Sequence, residues 1–455
     1  MFLFLQRKSQ EPRGKSVILS FQVSDRYSNV QVDVYEADDF VSFMSCGMKL
    51  FLEGKTTAQD NVRNFFPQEL EEIGAHVHNN SRVVNLDPDK KEITVEDPQG
   101  SHQVSYDKLI LTVGSLAKSI DGPGKDLDNI LLMRGHYWAS RINEALHDPS
   151  IKNVTVIGAG NGVSAAEVMA KAGKNVTLID KLSRPLQFFL NPMMISLVED
   201  EFRENNVKMM MGTTVTGFEG RDGKVSAVIT DQGNIPTDLV IQTVGIKPNT
   251  EWLKGVIDLN DHGYIETDNN FKTNQEDVYA IGDAILAFSI PANNLIPAPS
   301  AVAARHEAKY LSEHIFEETP ATTFPGLVGA QVLDLFSLHG FTTGINSNGA
   351  GRSGIIVETD YYEDYMRPRY IPEKDNPIIN ISLTYNLYSH QLLGADVIST
   401  HPIDEVGNVF TLAIGKKMTL EELADQDFFF SPSYDKQWNF INLAAQHALD
   451  MRDFD

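Results

Sequence analysis

The chain is 455 residues long, carries a formal net charge of −24 with a sequence pI near 4.8, and contains a single cysteine. That length implies two or three domains with ample core, the acidity disfavours nucleic acid and anionic membranes as partners, and a lone thiol excludes a disulfide scaffold and points to a reducing, cytoplasmic compartment. No apolar run approaches the ~18 residues of a membrane span, and Met1-Phe2-Leu3-Phe4-Leu5 is too short for a signal-peptide core and has no basic segment before it.

A dinucleotide-binding unit opens with a buried strand, a glycine-rich turn and a helix. Here Gln6 to Lys15 is charged, carries Pro12 and has only Gly14 where several glycines are wanted. Such a stretch offers no apolar run, and a proline would break a central ladder. The expectation is that residues 1–24 do not rebuild the first strand. They read as a foreign sequence in place of the true start, as a frameshift or an alternative start would produce. Ser16 to Ser24 reads as a short helix or a strand. From Asp25 the chain becomes an ordinary α/β protein. Val32-Asp33-Val34-Tyr35-Glu36 alternates like a strand and ends in an acid, the pattern of a second Rossmann strand whose acid holds an adenosine ribose. Cys46 follows it with Gly47 alongside, within reach of a dinucleotide bound there.

Further on, Ala58 to Gly74 reads as a helix with Leu70 and Ile73 on its apolar side, then short strands surround Val77, Val83–Val84 and Ile93–Val95. Tyr106 to Ser115 is a buried strand breaking at Gly114, Gly122-Pro123-Gly124 marks a crossover, and Arg134 to Leu146 reads as a helix. A second unit begins with the strand Val154–Ile157, the turn Gly158-Ala159-Gly160-Asn161-Gly162, a helix through Lys171 and the strand Val176–Asp180. The glycines allow a tight turn and close approach of a pyrophosphate, the helix N-terminus faces the phosphates, and Asp180 stands twenty residues after Gly160. Leu239 to Gly245 is another strand ending at a glycine, and Asp277 to Ala284 a short strand delivering Asp283 to a helix start. After about residue 320 the pattern changes to α+β, closing with Phe428-Phe429-Phe430-Ser431-Pro432-Ser433-Tyr434 and a helix. The scattered His306, His339 and His390 have no zinc-ligand spacing, so no metal site is expected. Met209-Met210-Met211 reads as a strand, and Lys416-Lys417 as a solvated helix end.

Taken together, Ser42-Phe43-Met44-Ser45-Cys46-Gly47, Tyr106-Asp107-Lys108-Leu109, Leu132-Met133-Arg134-Gly135, Gly282-Asp283-Ala284 and Phe429-Phe430-Ser431-Pro432 resemble the single-cysteine flavoprotein relatives of the disulfide reductases, NADH peroxidase first and NADH oxidase next. The resemblance runs from Asp25 to the C-terminus. It implies an α/β fold with two Rossmann-like domains and a C-terminal α+β dimerisation domain. The FAD-binding domain would span residues 1–114 and 246–320, the NADH-binding domain 115–245 and the interface domain 321–455. FAD would have Glu36 on its adenosine ribose and Asp283 on its ribityl chain, with Thr112, Val113, Gly114, Ser115, Arg134 and Ala301 adding contacts. NADH would lie on Gly158, Gly160, Asn161 and Gly162, with Asp180 on its ribose, Phe189 near its nicotinamide and Gly245 alongside. Cys46 would cycle between a low-pKa, shielded thiolate and sulfenic acid, which has no second thiol in this chain to condense with.

The function this implies is reduction of hydrogen peroxide to water with NADH, the alternatives being dioxygen (NADH oxidase) and a coenzyme A-disulfide. The chain would be a homodimer or homotetramer whose aromatic segment reaches the partner's active site. Two departures stand out. The family's glycine loop with its assisting histidine is missing, since no histidine precedes His76, and the NADH loop looks one residue short, with Ser164 where a glutamate is usual. The missing glycine loop favours a reading of a different class, a flavin-free remnant that binds a nucleotide or dimerises, while Cys46, Glu36 and Asp283 favour the enzyme.

Overall fold

A computed structural model of the chain describes residues 2–7, 16–18, 21–23, 30–56, 62–63, 65–72 and 74–451; of residues 2–7, 16–18, 21–23 and 404 it describes the backbone alone. The fold is mixed α/β, with two Rossmann-like units and a C-terminal antiparallel-sheet domain, each built on a five-stranded sheet. In the second unit the order is Ile130–Leu132, Leu239–Gln242, Asn153–Ile157, Asn175–Asp180, Lys208–Met211, with every pair parallel. Val154, Thr155, Val156 and Ile157 are all buried, as a strand covered on both faces requires. The helix Gly162–Lys171 packs on this sheet and ends at Gly173, whose φ of +79° lets the chain turn back.

The first sheet corrects the expectation for the N-terminus. Its order is Val278–Ala280, Lys108–Leu111, Phe2–Arg7, Val30–Tyr35, Ala75–His78. The central position is filled, by the apolar opening Phe2–Arg7 ahead of the charged segment. It pairs antiparallel with both neighbours, Phe2 opposite Tyr35 and Leu111, Arg7 opposite Val30. The other four strands share one direction. The ladder is therefore satisfied while the central strand runs the wrong way for a dinucleotide turn. Ser16–Ile18 and Phe21–Val23 form a hairpin, with Phe21–Val23 against the helix Ala301–His314.

Two other expectations change. Among the described residues the helix expected from Ala58 is Pro67–Glu72, with Leu70 buried; Val62 and Arg63 lie beside the Phe43 loop, and residues 57–61, 64 and 73 lie outside the described residues. Asp283 sits in the one-turn helix Gly282–Ala284, which leads into the strand Leu286–Ser289 rather than into a longer helix.

In the C-terminal sheet the order is Ala330–Leu335, Leu338–Gly344, Leu392–Ser399, Ile378–Asn386, Val357–Tyr365, antiparallel throughout. The helices Asp404–Gly415 and Phe440–Ala448 cover it.

The helix Met48–Leu52, directly after Cys46, packs away from the first sheet. Met48, Phe51 and Leu52 share a core with Val163, Ala166 and Met169 of the second unit and with Leu335, Leu338 and Ile398 of the C-terminal sheet. A buried ionic cluster sits at this junction. Glu167, fully buried, accepts at Oε1 from Lys171 Nζ at 2.5 Å and the Phe336 amide at 2.7 Å, and its Oε2 forms an ion pair with Lys49 Nζ at 2.7 Å. Lys49 reaches on to the Asp334 backbone carbonyl and, at 3.2 Å, its carboxylate. One acid thus joins the Cys46 helix, the glycine-loop helix and the C-terminal sheet. Glu167→Ala removes the shared acid and leaves Lys49 to Asp334 and Lys171 to Glu53 at 3.5 Å, and we expect a loss of about 2–4 kcal/mol in urea unfolding. The figure sits below that of a wholly buried pair because Lys171 keeps 41% of its side chain exposed. An unchanged midpoint would mean that the cluster contributes nothing net.

Candidate active site

The second unit is a complete nucleotide cradle. Gly158 has φ +104°, and a Cβ there would lie 2.5 Å from the Thr243 carbonyl; one on Gly162 would lie 2.6 Å from the Thr243 hydroxyl. Both positions must be glycine because Thr243 packs into the turn and donates to the Gly158 carbonyl at 2.8 Å. This packing closes the loop that looked short. The turn leads straight into the helix Gly162–Lys171, whose N-cap Asn161 makes no side-chain cap; the Val163 and Ser164 amides donate at 3.2 and 3.3 Å to the Gly160 and Asn161 carbonyls. Asp180, at the end of its strand, accepts from the Ala159 amide at 2.6 Å and the Leu182 amide at 2.8 Å. A carboxylate has lone pairs for about four such bonds, so capacity remains for a ribose hydroxyl. The Phe189 ring comes within 3.5 Å of where a Gly160 Cβ would be. Gly245, with φ +104°, accepts from the Lys118 amide at 2.9 Å. These residues fit NADH.

On the first sheet three of the expected residues converge. Asp283 Oδ2 accepts from Arg134 at 2.8 Å and from the Ser115 hydroxyl at 2.7 Å, while Arg134 Nε donates to the Ser115 carbonyl at 2.9 Å. Asp283 Oδ1 accepts nothing among the described residues. The Gly282 amide donates at 2.7 Å to Glu307, whose carboxyl burial pushes up to about 7. Val113 and Gly114 precede Ser115, their carbonyls bound by Asn249, and Thr112 is half-buried beside them. Ala301 opens the helix capped by Ser300. Glu36 follows the strand Val30–Tyr35, its carboxylate reached by the Asp38 amide at 3.3 Å. The ribityl and adenosine ends of FAD therefore have residues that fit them. For the pyrophosphate between, the described residues supply no glycine turn or helix N-terminus, because the reversed strand leaves the sheet at the edge opposite Glu36.

Cys46 lies in the one-turn helix Ser45–Gly47, on a loop pinned by the Met44 amide to the Val62 carbonyl at 2.8 Å. A Cβ on Gly47 would approach Val62 Cγ1 to 2.7 Å, so glycine is required there too. The thiol is exposed. The shielding expected of a stable sulfenate is thus not provided by the chain around it. What the sequence reading missed is the stack beside this loop: Phe40 lies between the Arg63 guanidinium at 3.3 Å and the His136 ring at 4.0 Å, and His136 also meets the edge of Phe43. The signal was an arginine and a histidine at the ends of segments that fold back on the Cys46 loop, which spacing alone does not reveal. His339 and His390 pair with Asp334 and Glu421, His306 is exposed, and no group of metal-binding side chains occurs among the described residues.

The family description pyridine nucleotide-disulphide oxidoreductase matches residues 20–308. The chain belongs to this family. It is accordingly an enzyme of the flavoprotein, NADH-dependent oxidoreductases, whose members bind FAD and NAD(P)H. An NADH oxidase of Enterococcus faecalis is 33% identical over 441 residues, 96% of this chain and 97% of the relative. The water-forming NADH oxidase of Lactobacillus brevis, solved bound to NADH, superposes with a TM-score of 0.90 at 29% identity, covering 96% and 97% of the two chains. The reduced CoADR-RHD protein of Bacillus anthracis has a TM-score of 0.89 at 23% identity, covering 97% of this chain and 81% of its own, a likeness of fold alone.

Two predictions follow from this geometry. A carboxylate at the ribose, as Asp180 would be, repels a 2′-phosphate, and Arg184, which could have paired with one, is committed to Glu199 at 2.9 and 2.7 Å. Only exposed Lys181 remains nearby, so NADH is expected to bind at least tenfold tighter than NADPH; equal affinities in a binding titration would show that Asp180 faces away from the ribose. For FAD, loss of charge-assisted bonds worth ~5 kcal/mol in total implies affinity weaker by three orders of magnitude or more. Gel filtration without added FAD should strip the yellow colour from the protein, and stoichiometric retention would mean that another segment makes the phosphate site.

Proposed function

We propose that the chain is an NADH oxidase, passing electrons from NADH to dioxygen, with Cys46 as the thiol that cleaves the oxygen–oxygen bond. The observation that carries this reading is the near-full-length likeness to the Enterococcus faecalis and Lactobacillus brevis NADH oxidases. Peroxide as the oxidant from solution becomes the second choice, because these relatives are named for oxidase activity. In this reading residues 1–114 and 246–320 bind FAD, 115–245 bind NADH, and 321–455 form the interface of a homo-oligomer. FAD, when bound, supplies a two-electron relay between NADH and the oxidant.

The chain's own residues take the remaining roles. Gly158, Gly160, Asn161 and Gly162 hold the NADH pyrophosphate, Asp180 takes the ribose, and Phe189 and Gly245 flank the nicotinamide. Glu36, Thr112, Val113, Gly114, Ser115, Arg134, Asp283 and Ala301 line the flavin, with Arg134 holding Asp283 in place. Dioxygen that has taken up two electrons from one NADH and two protons is hydrogen peroxide; the Cys46 thiolate attacks one of its oxygens, becomes a sulfenic acid and releases hydroxide, and two electrons from a second NADH with a proton return it to thiolate with loss of water. A reading of another class, a flavin-free nucleotide-binding protein, is favoured by one observation, the reversed strand Phe2–Arg7.

Cys46→Ser, assayed with NADH, dioxygen and added FAD, separates these readings. Hydride transfer needs no thiol, so NADH consumption should persist while peroxide accumulates at about one per NADH instead of water. Water formation unchanged in the serine variant would remove Cys46 from the mechanism, and no NADH consumption by the parent chain at saturating FAD would favour the flavin-free reading.

A further inference from the structure

The segment bearing Phe189 joins two parts of the molecule. On one side the Leu186 amide donates to the Ala159 carbonyl at 2.9 Å, and the Phe189 ring packs over Gly160. On the other side the C-terminal sheet grips the backbone. Thr342 Oγ1 lies 3.1 Å from the Phe189 carbonyl, and the Asn191 amide donates to Asp396 at 2.8 Å. Asp396 also lies 2.7 Å from Thr342 Oγ1. Its strand, Leu392–Ser399, is buried at every position, and among the described residues no cation pairs with this acid. A buried carboxylate without a counter-ion is costly, and burial pushes this one up to about 6. Its hydrogen bonds go to Thr342 and Asn191, the groups that fix the Phe189 segment.

We propose that Asp396 and Thr342 are positioning residues for NADH, holding the Phe189 backbone so that its ring covers the glycine turn. This rests on the reading that Phe189 flanks the nicotinamide. The donor arithmetic is specific. Thr342 has one hydroxyl proton and two acceptors in reach, the Asp396 carboxyl and the Phe189 carbonyl. An ionised Asp396 competes with Phe189 for that proton, whereas a group at 396 that donates to Thr342 holds the hydroxyl in place and leaves its proton for Phe189. A protonated carboxyl does this, and so does an amide, which can accept from the Asn191 N–H through its oxygen while donating through its nitrogen.

The test is NADH binding to the full-length chain, followed by calorimetric titration with no oxidant present, together with thermal unfolding of each variant. Thr342→Val removes the donor to Phe189, and Asp396→Ala leaves the Asn191 amide without its acceptor and the Thr342 hydroxyl without its second partner; each should weaken NADH binding by about tenfold, the effect of one lost hydrogen bond. Thr342→Ser and Asp396→Asn should stay within about twofold of the parent or bind more tightly. Variants that lose thermal stability yet bind NADH like the parent would overturn the proposal and leave the pair a purely structural role. Equal weakening in Asp396→Ala and Asp396→Asn would overturn the donor argument. A parent chain that binds no NADH would overturn the nucleotide reading itself, and this inference with it; the readout does not depend on which oxidant the enzyme uses.

Discussion

A parallel sheet builds its nucleotide site at the carboxyl ends of its strands. Only there can a strand turn directly into a helix whose amino terminus faces the phosphates. The second unit of this chain obeys that constraint in every part: Asn153–Ile157 runs into the glycine turn, the turn into Gly162–Lys171, and Asp180 arrives at the same edge. The first unit obeys it everywhere except at the centre. Antiparallel pairing satisfies a backbone ladder as well as parallel pairing does. Phe2–Arg7 can therefore complete the sheet, protecting the amides and carbonyls of Val30–Tyr35 and Lys108–Leu111, without completing the site. Core and site make separate demands on the same position.

The second organising feature is the placement of buried acids at junctions. Glu167 joins three units through two lysines, and its charge is met. Among the described residues Asp396 and Glu307 have no cation. Each instead accepts a backbone amide from a segment beside a nucleotide site, Asn191 in one case and Gly282 in the other. Their carboxyls are raised from ordinary values of 3.8 and 4.5 to about 6 and about 7. An acid whose folded value is raised binds more protons in the folded state. Both junctions are thus tightest at low pH and lose stability as pH climbs from the ordinary value through the raised one. A core built for stability alone would have used an apolar side chain at either place, so the acids point to a need to hold those two loops.

The second unit was legible in the sequence because its signals are local. Strand, glycine turn, helix and terminal acid lie within one short stretch, and the structure repeats them almost residue for residue. The strand ending in Glu36, the strand before Gly114 and the helix near Arg134 were legible for the same reason. The N-terminus misleads because Gln6 to Lys15, where the glycine turn belongs, is charged, while the four apolar residues Phe2 to Leu5 are too short for a signal. They are long enough for a strand. Helix Ala58 to Gly74 was overdrawn because an apolar period cannot show that Val62 and Arg63 pair with the Cys46 loop. Glu167, Asp396 and the Arg63–Phe40–His136 stack depend on contacts between residues far apart in the chain, which no local pattern encodes.

Cys46 brings these constraints together. A sulfenic acid lasts only where thiols and bulk solvent are kept away. Composition meets the first condition, since the chain has no second cysteine to close a disulfide on it. The second is not met by the chain alone, because the thiol is exposed. Its helix is nonetheless held firmly, through Met48, Phe51 and Leu52 in the core and through Lys49 on Glu167. The protein has therefore fixed the position of the thiol more tightly than its cover. In the proposed homo-oligomer the cover would come from outside the loop: the flavin on one side and a second copy's exposed aromatic segment, Phe429, Tyr434 and Trp438, on the other. On this view the homo-oligomer would contribute to the chemistry by covering the thiol.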